Sequence, residues 1–337
     1  MKTIFIVDDN DVNLLSAEEA LANEYRVFTL PSAADMFIFL EKVKPDLILL
    51  DIEMPVMNGF EALQKLKDDR RFADIFVIFL TSRTDINAEV RGFELGAVDF
   101  IHKPFTRPIL VNRIRTHLEI EAIINEQTSE LKILRNSTVS ALARVVENRD
   151  AFTGGHIERT TMFMEILLKA MLKNDVYSDI ISQWDLEAVI LASRLHDVGK
   201  VTVSDLILNK PGKLTAEEFE DMKKHTVEGE RIVDEIIVES GYQSLLHHAK
   251  LFAGYHHERY DGTGYPHGAT GGSIPLQGRL MAIIDVYDAL ISERPYKPPF
   301  SHDKALDIVL EGRGTHFDPK IVDVFLQVSD LFAEVEA

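Results

Sequence analysis

Short apolar runs alternate with amphipathic segments over the first part of the chain. Runs of this length without polar interruption are typical of strands that are buried on both faces, as in a parallel sheet. With helices between the strands, this part of the chain is expected to form a doubly wound α/β domain. Five runs predict its strands: Thr3 to Val7, Arg26 to Leu30, Asp46 to Leu50, Ile75 to Leu80 and Val98 to His102.

A different pattern follows the fifth run. After Pro108 the chain continues to Asn148 without a glycine or a proline, which predicts one long linking helix over residues 108–148. The favoured interpretation is a coiled coil with a second copy of the chain, hence a homodimer, and the alternative is a single amphipathic helix lying on its own domains. Apolar residues recur in this helix at heptad spacing: Ile120, Ile124, Leu131, Leu134, Ala141 and Val145.

Acidic residues stand at the ends of the predicted strands. Asp8 and Asp9 follow the first strand and Asp51 follows the third, while Thr81 and Lys103 follow the fourth and the fifth. A doubly wound fold places its ligand site at this edge of the sheet. Three carboxylates, a hydroxyl and an ammonium can hold Mg²⁺, offer a carboxylate nucleophile and contact a phosphoryl group.

The second half of the chain carries histidine doublets. His196 and Asp197 lie within AVILASRLHDVGKV, which is apolar nearly all round and predicts a buried helix in which both residues need partners. Imidazoles and carboxylates suit divalent first-row metals, and two such ions can assist phosphodiester hydrolysis. A lone histidine such as His225 would by itself be interpreted as a solvated residue. The other candidate ligands are His156, His256, His257 and Asp285.

A glycine-rich turn follows the adjacent histidines His256 and His257. Gly262, Gly264 and Pro266 predict a tight loop, because glycine permits positive φ and proline fixes its own. Tyr265 could line a substrate pocket or pack the loop. Asp261 could support the metal site or cap the turn, and capping is the simpler interpretation.

Composition limits these hypotheses. The 337 residues have room for two domains, and the absence of cysteine leaves nitrogen and oxygen ligands for any metal. Neither a membrane span nor a secretory signal is expected, so a cytoplasmic protein is predicted. The net charge of −19 argues against nucleic acid as a partner, and an anionic substrate would need local cations and bound metal to offset it.

Residues 1–120 resemble a response-regulator receiver domain through VDDN, LLDIEMPVMNGFE, TSRT and HKPF. The resemblance implies that Asp51 accepts a phosphoryl group from a sensor histidine kinase. It makes Asp8 and Asp9 ligands of Mg²⁺, and Thr81 and Lys103 contacts of the phosphoryl group. Phe100 stands at the family's aromatic switch position, although a phenylalanine in a strand is more often a core residue.

Residues 140–337 resemble the HD-GYP domain through HDxGK, HHExxDGxGYPxG and RPYK, Arg294 to Lys297. The resemblance implies an all-α domain that hydrolyses cyclic di-GMP to pGpG, and it leaves open whether GMP follows. Asp197 and Lys200 would be catalytic, and the substrate would contact Lys200, Tyr265, Arg294 and Lys297. Two divalent transition-metal ions, with iron or manganese favoured, would be held by His156, His196, Asp197, His225, His256, His257 and Asp285.

The resemblance leaves alternatives open. The substrate could be another cyclic dinucleotide such as 3′,3′-cyclic GMP-AMP, or the domain could bind a nucleotide or a diguanylate cyclase without turnover. Phe152 stands where some HD-GYP members place a glutamate one helical turn before the first histidine, which predicts two ions rather than three. Glu147 is expected on a solvated helix face or paired with Arg149 or Arg144.

Overall fold

The computed structural model describes residues 1–82, 86–150, 155–241, 244–293 and 298–336. The chain divides into two compact units, residues 1–131 and 132–337. No helix in the described part of the chain is long and apolar enough to cross a membrane.

The first unit is built on a five-stranded parallel sheet of order β2-β1-β3-β4-β5. The predicted doubly wound α/β fold is confirmed, and strand boundaries differ from the prediction by at most one residue. The strands are β1 (Thr3–Val7), β2 (Arg26–Leu30), β3 (Leu47–Asp51), β4 (Phe76–Thr81) and β5 (Asp99–His102). The helices between them are α1 (Asp11–Leu21), α2 (Ala33–Leu40), α3 (Gly59–Asp68) and α4 (Ile86–Glu94).

Alternate side chains of each strand enter two separate apolar layers. Phe5 and Leu50 belong to one buried cluster, and Ile4 and Leu49 belong to the other. This follows from the two-residue period of a strand, and it explains why the strand sequences are apolar without interruption. The sheet is covered on both faces, so its carboxyl edge is left for the site.

The long helix predicted over 108–148 is α5, Arg107–Glu147. Leu110 and Ile114 pack in the core of the first unit, and Val139 and Ala143 pack in the core of the second. The heptad residues of α5 are exposed in the single chain: Ile120, Ile124, Leu131, Leu134, Ala141 and Val145.

The second unit is helical, and its described residues form no β-sheet. Phe163, Phe252, Tyr287 and Phe325 are fully buried in its core. Short 3-10 helices span Val198–Thr202 and Gly271–Ser273. The α-helices are α6 (His156–Lys173), α7 (Ser178–Ile181), α8 (Leu186–Ser193), α9 (Asp205–Leu208), α10 (Ala216–Ser240), α11 (Ser244–Tyr255), α12 (Leu276–Ile291), α13 (His302–Glu311), α14 (Pro319–Gln327) and α15 (Ser329–Glu336).

The prediction of a helix through His196 and Asp197 is wrong. Helix α8 ends at Ser193, the two residues lie in the following turn, and the 3-10 helix begins at Val198. Close approach to α10 explains the interruption, since a Cβ at Gly199 would lie 1.9 Å from the carbonyl oxygen of His225. An α-helix that continued through this point would not bring its backbone so near to another helix.

Candidate metal centre and acidic pocket

The carboxyl edge of the sheet gathers the predicted acidic residues. Asp8 and Asp51 are buried, Asp9 is exposed, and carboxylate oxygens of all three lie within 4.8 Å of one another. Lys103 Nζ lies between the two buried acids, 2.6 Å from Asp8 Oδ2 and 2.7 Å from Asp51 Oδ1. Burial raises the pKa of Asp51, although Lys103 opposes that effect. Three carboxylates at this spacing form an oxygen-rich pocket that fits Mg²⁺.

Thr81 completes this pocket from the neighbouring strand. It is the buried last residue of β4, and its carbonyl oxygen accepts a hydrogen bond of 2.8 Å from Lys103 N. Two asparagines at the start of α1, the N-cap Asn10 and Asn13 in the first turn, were not predicted as part of the site. Asp8 Oδ1 accepts hydrogen bonds from Asn10 N at 2.9 Å and from Asn13 Nδ2 at 3.0 Å. They orient the acid, and only Asn10, the last residue of VDDN, belongs to a matching motif.

Phe100 is a buried residue of β5. Its ring centroid lies 5.3 Å from that of Phe79 and 5.0 Å from that of Phe93. A Cβ at Gly92 would lie 2.3 Å from the Phe100 ring, so α4 packs closely over it. The interpretation of Phe100 as a core residue is confirmed, and its role as a switch stays a prediction.

The second unit brings all of its predicted metal ligands together. They come from the start of α6, the turn after α8, the middle of α10, the end of α11 and the middle of α12. Ligand atoms form two groups, each within 4.8 Å. The first group is His156, His196 and Asp285, and the second is His225, His256 and His257.

Asp197 lies between the two groups. Its Oδ2 is 3.4 Å from His196 Nε2, while its Oδ1 is 3.5 Å from His225 Nε2 and 3.6 Å from His256 Nε2. Each carboxylate oxygen therefore faces a different group of imidazoles. This is the arrangement that a carboxylate needs to bridge two ions.

Backbone hydrogen bonds fix the orientation of three imidazoles. The Nδ1 atoms donate to carbonyl oxygens three or four residues upstream: His196 to Ser193 at 2.9 Å, His225 to Met222 at 2.7 Å and His256 to Phe252 at 3.0 Å. With its proton on Nδ1, each neutral ring presents an Nε2 lone pair to the centre.

The Nε2 lone pairs of neighbouring imidazoles lie close together, and two lone pairs cannot form a hydrogen bond with each other. His225 Nε2 is 3.2 Å from His256 Nε2, and His156 Nε2 is 3.2 Å from His196 Nε2. Two acceptors at this distance repel unless a proton or a cation lies between them. The donor set consists of imidazole nitrogens and carboxylate oxygens, so it fits divalent transition-metal ions.

Burial keeps two histidines of the second group neutral. It lowers the pKa of His225 to about 4 and lowers that of His257 well below the ordinary range. Burial also lowers the pKa of His156, but the hydrogen bond to Asp288 and the nearby carboxylates outweigh it, so that pKa is raised. Asp197 is ionised: burial raises its pKa, but Lys200 and His196 hold it well below the usual range.

Lys200 lies beside this centre. Its Nζ is 2.7 Å from Asp197 Oδ2 and 3.2 Å from Asp150 Oδ2. Burial lowers the pKa of Lys200, but the two carboxylates more than compensate and raise it. The ammonium is therefore charged in the absence of any substrate.

A cavity of about 370 Å³ opens over the centre, and Lys200 and Tyr265 line it with His257 and Asp285. The Tyr265 ring also lies 4.8 Å from the His257 ring, so Tyr265 lines the cavity and packs against a candidate ligand, and its contact with a substrate stays a prediction. Arg294 and Lys297 lie outside the described residues.

Hydrogen bonds shape the loop that carries Tyr265. Gly262 has the predicted positive φ of 82°, whereas Gly264 is needed for close approach, since its Cβ would lie 2.3 Å from Arg259 N. Asp261 Oδ1 accepts hydrogen bonds from Thr263, which agrees with turn capping. Buried Glu258, missed in the sequence, accepts from the amides of residues 267 and 269 at 2.6 and 3.0 Å.

A further pair of residues supports His156. Its Nδ1 donates to Asp288 Oδ2 at 2.8 Å, and Arg159 donates to both oxygens of Asp288, at 2.6 and 3.0 Å. Sequence reasoning missed both residues. The available signal was the position of Asp288 three residues after Asp285, on the same face of α12.

The expectation for Glu147 is wrong. Its side chain is half-buried, lines a small cavity beside His156 and His196, and accepts a hydrogen bond of 3.2 Å from Ile157 N. Glu147 is the last residue of α5, and its contact with Ile157 places this acid at the amino end of α6, where unpaired amides favour a carboxylate. Phe152, used to predict the number of ions, lies outside the described residues.

The acidic pocket on a doubly wound sheet and the histidine centre in a helical unit define a response regulator with a metal-binding output domain. A family profile for the response regulator receiver domain matches residues 4–115, and one for the HD domain matches residues 140–321. The chain belongs to the family of response regulators that join a receiver domain to an HD domain of the HD-GYP type.

Two relatives align over nearly the whole chain. A Vibrio cholerae protein named as a probable cyclic di-GMP phosphodiesterase is 40% identical over 99% of this chain and 79% of its own length. The cyclic di-GMP phosphodiesterase response regulator RpfG of Xanthomonas campestris is 34% identical over 96% of this chain and 87% of its own. Both matches span the receiver domain and the HD domain together.

Proposed function

We propose that this protein is a phosphorylation-regulated, metal-dependent phosphodiesterase that hydrolyses cyclic di-GMP to linear pGpG and then to GMP. The observation that carries the proposal is the position of Asp197 between two groups of imidazoles, with Lys200 at the edge of an open cavity. The substrate class comes from the two relatives that align over nearly the whole chain, because both are named as cyclic di-GMP phosphodiesterases.

Two ions of iron or manganese would occupy the centre. One ion would be held by His156, His196 and Asp285, and the other by His225, His256 and His257. Asp197 would bind both ions. When bound, the ions would activate the attacking water and offset the charge that develops on phosphate oxygens. Glu147 is left out of the ligand set, because its carboxylate accepts the amide of Ile157.

The chain's own residues would bind and orient the substrate. Lys200 would contact the scissile phosphate, since its charged Nζ lies in the cavity wall beside Asp197. The Tyr265 ring offers an apolar face at the same cavity. Arg294 and Lys297 would grip phosphate oxygens, as the family resemblance implies.

Purified protein loaded with Mn²⁺ or Fe²⁺ should convert cyclic di-GMP to pGpG, as measured by chromatography of the products. Asp197→Ala should abolish hydrolysis while preserving the fold, because it removes the ligand shared by both groups. Asp303→Ala, at an exposed acid of α13, is the matched control and should retain full activity. Full turnover by Asp197→Ala would refute the assignment.

Metal content tests the number of ions. Elemental analysis should find two transition-metal ions per chain, and Glu147→Gln should retain both. Three ions in the parent protein, with one lost in Glu147→Gln, would contradict the two-metal centre.

A second substrate is favoured by one relative. The Vibrio cholerae protein named 3′3′-cGAMP-specific phosphodiesterase 2 is 37% identical over 80% of this chain and 48% of its own length. The assay should therefore include 3′,3′-cyclic GMP-AMP beside cyclic di-GMP. Faster turnover of the mixed dinucleotide would change the substrate, and binding without turnover would indicate a signalling module that engages a nucleotide or a diguanylate cyclase.

The receiver would be phosphorylated on Asp51 by a sensor histidine kinase, with Mg²⁺ bound by Asp8 and Asp9. The pocket's three carboxylates support this assignment, and Thr81 and Lys103 would contact the phosphoryl group. Acetyl phosphate with Mg²⁺ should add one phosphoryl group to the parent protein and none to Asp51→Asn, as measured by intact mass. Modification of Asp8 or Asp9 would contradict the assignment.

We infer the domain plan of a cytoplasmic homodimer: receiver over 1–120, linking helix over 108–148 as a coiled coil, and HD-GYP domain over 140–337. Ile124 and Leu131 belong to the heptad residues that would form the seam of the coiled coil, and they are 51% and 66% exposed in the single chain. Changing both to glutamine should lower the mass found by light scattering at micromolar concentration. Ile133→Gln, equally exposed but off the seam, is the control, and an unchanged mass in the double variant would favour a solitary helix.

A further inference from the structure

Arg149 binds the segment that carries Lys200. It stands two residues beyond the end of α5, and its guanidinium reaches a segment more than fifty residues away. Nη1 donates to the carbonyl oxygens of Lys200 at 3.2 Å and Val201 at 2.7 Å. Nη2 donates to the carbonyl oxygen of Val203 at 3.0 Å and to Asp205 Oδ1 at 2.7 Å. One side chain thus holds the backbone from Lys200 to the start of α9.

The opposite side of the same 3-10 helix is held by backbone contact. A Cβ at Gly199 would lie 1.9 Å from the carbonyl oxygen of His225 and 2.5 Å from Gly229 N. The segment therefore rests against α10 on one side and is held by Arg149 on the other. Without the guanidinium, the four hydrogen bonds from Arg149 to residues 200–205 would be lost.

The neighbours of Arg149 strengthen this attachment. Asn209 Nδ2 donates to the carbonyl oxygen of Arg149 at 2.8 Å, which fixes the backbone from which the side chain extends. The next residue, Asp150, contacts Lys200 Nζ at 3.2 Å. Residues 149 and 150 thus hold both the backbone and the ammonium of Lys200.

We propose that Arg149 is a positioning residue for Lys200, and that it ties the turn bearing this lysine to the end of the linking helix. A lysine has a flexible four-carbon stem, so its place in the cavity depends on the backbone from which it starts. Arg149 contacts no candidate metal ligand directly, so its loss should impair turnover while leaving metal binding unchanged. The inference rests on the proposed function through the role of Lys200.

Kinetics with matched variants test this inference. Arg149→Ala should lower kcat/KM for cyclic di-GMP by about 100-fold, the effect of a misplaced reactive group. Arg149→Lys, which keeps the charge but lacks the fork, should also be impaired. Arg144→Ala, at an exposed arginine of α5, is the control and should match the parent protein. Metal content should equal that of the parent protein in all three variants.

A double-mutant cycle separates positioning from a general loss of stability. In a Lys200→Ala background, assayed at high enzyme concentration, Arg149→Ala should reduce the residual rate by no more than about 2-fold. Two results would overturn the inference: an unimpaired Arg149→Ala, or a loss in the Lys200→Ala background as large as in the parent protein.

Hydrogen exchange tests the attachment without any substrate. Peptides covering residues 198–205 should exchange faster in Arg149→Ala than in Arg144→Ala, while peptides from the middle of α10 stay unchanged. Equal exchange over 198–205 would overturn the inference even if the enzyme were active. If the parent protein hydrolysed no cyclic dinucleotide, the proposed function would fail, and the exchange comparison would still decide whether Arg149 holds the turn.

Discussion

Replacing Asp288 by asparagine should weaken metal binding although Asp288 is not itself among the proposed ligands. The carboxylate is 2% exposed and accepts hydrogen bonds from His156 Nδ1 and from Arg159. An asparagine has one oxygen and one amide nitrogen in place of two oxygens. An asparagine oxygen in the place of Oδ2 can accept from His156 Nδ1 and Arg159 Nη2, but the amide nitrogen then stands in the place of Oδ1 and cannot accept from Arg159 Nε.

Either orientation of the asparagine places its NH₂ group against another hydrogen-bond donor near the metal centre. If its oxygen faces Arg159, its NH₂ group faces His156 Nδ1, and the imidazole must move its proton to Nε2, where it blocks ligation. If its oxygen takes the place of Oδ2, His156 Nδ1 and Arg159 Nη2 keep their acceptor, but the NH₂ group opposes Arg159 Nε, which donates to Oδ1 at 2.6 Å in the parent protein. Loss of such a supporting partner lowers metal affinity by about 10- to 100-fold, or about 1.4 to 2.8 kcal/mol.

Competition with a chelator for Mn²⁺ measures this affinity in the purified protein. Ser292→Ala is the control, because it removes a hydrogen bond of 2.8 Å from Arg159 and one of 3.3 Å to Asp288 Oδ2 but leaves the carboxylate of Asp288 in place. It should bind Mn²⁺ within about 3-fold of the parent protein, since these partly solvated hydrogen bonds contribute little and His156 Nδ1 keeps its acceptor. Parent-like affinity in Asp288→Asn, or equal weakening in Ser292→Ala, would refute the reasoning.

Three further outcomes are expected. Metal-free protein should lose stability to urea as the pH falls from 6.5 towards 4. Burial lowers the pKa of both His225 and His248 to about 4, so these residues take up protons in that range only in the unfolded chain. His248→Asn should therefore make the free energy of unfolding depend less on pH. Gly199→Ala should lower the free energy of unfolding in urea by about 3 kcal/mol or more, because its Cβ would meet backbone 1.9 Å away. Gly272→Ala, which has open space around it, should change this free energy by less than about 1 kcal/mol. Lys103→Met should lower the melting temperature of the receiver by leaving two buried carboxylates unpaired, and Mg²⁺ should restore part of it; no loss in the absence of Mg²⁺ would contradict the pairing.

The fold of the first unit could be predicted because its signals are local. Each strand is an uninterrupted apolar run, and helices between parallel strands bring the carboxyl ends to one edge. The acids after β1 and β3 therefore had to meet. The one-residue differences in boundary arise because Asp51 and Thr81 continue the ladder of hydrogen bonds past their apolar runs.

The metal centre was predicted from motifs, and its supporting residues were not. Asp288 and Arg159 lie 129 positions apart in the sequence and meet only because α6 packs against α12. No local pattern distinguishes such an acid from a solvated one. Glu147 was misjudged for the same reason, since its partner Ile157 lies beyond a turn that a helical pattern does not describe.

The turn at His196 and Asp197 shows where periodicity fails. An apolar segment without a clear polar face fits a buried helix and a buried turn equally well. The deciding contact is between Gly199 and the backbone of α10, which is long-range and leaves only a glycine in the sequence as its trace. Ending α8 early also turns Asp197 towards two histidine groups at once, which a residue on a continuous helix face could not reach.

Both sites place a partly buried lysine between two carboxylates. Lys103 joins Asp8 to Asp51, and Lys200 joins Asp197 to Asp150. In a chain of net charge −19, neighbouring acids without a counter-ion would repel each other. Each lysine supplies that counter-ion within 3.2 Å of both of its acids. If a divalent ion bound these carboxylates, the ammonium would be available to an anionic ligand, so the residue that pairs with the acids would contact a phosphoryl group in the receiver and a phosphodiester in the helical unit.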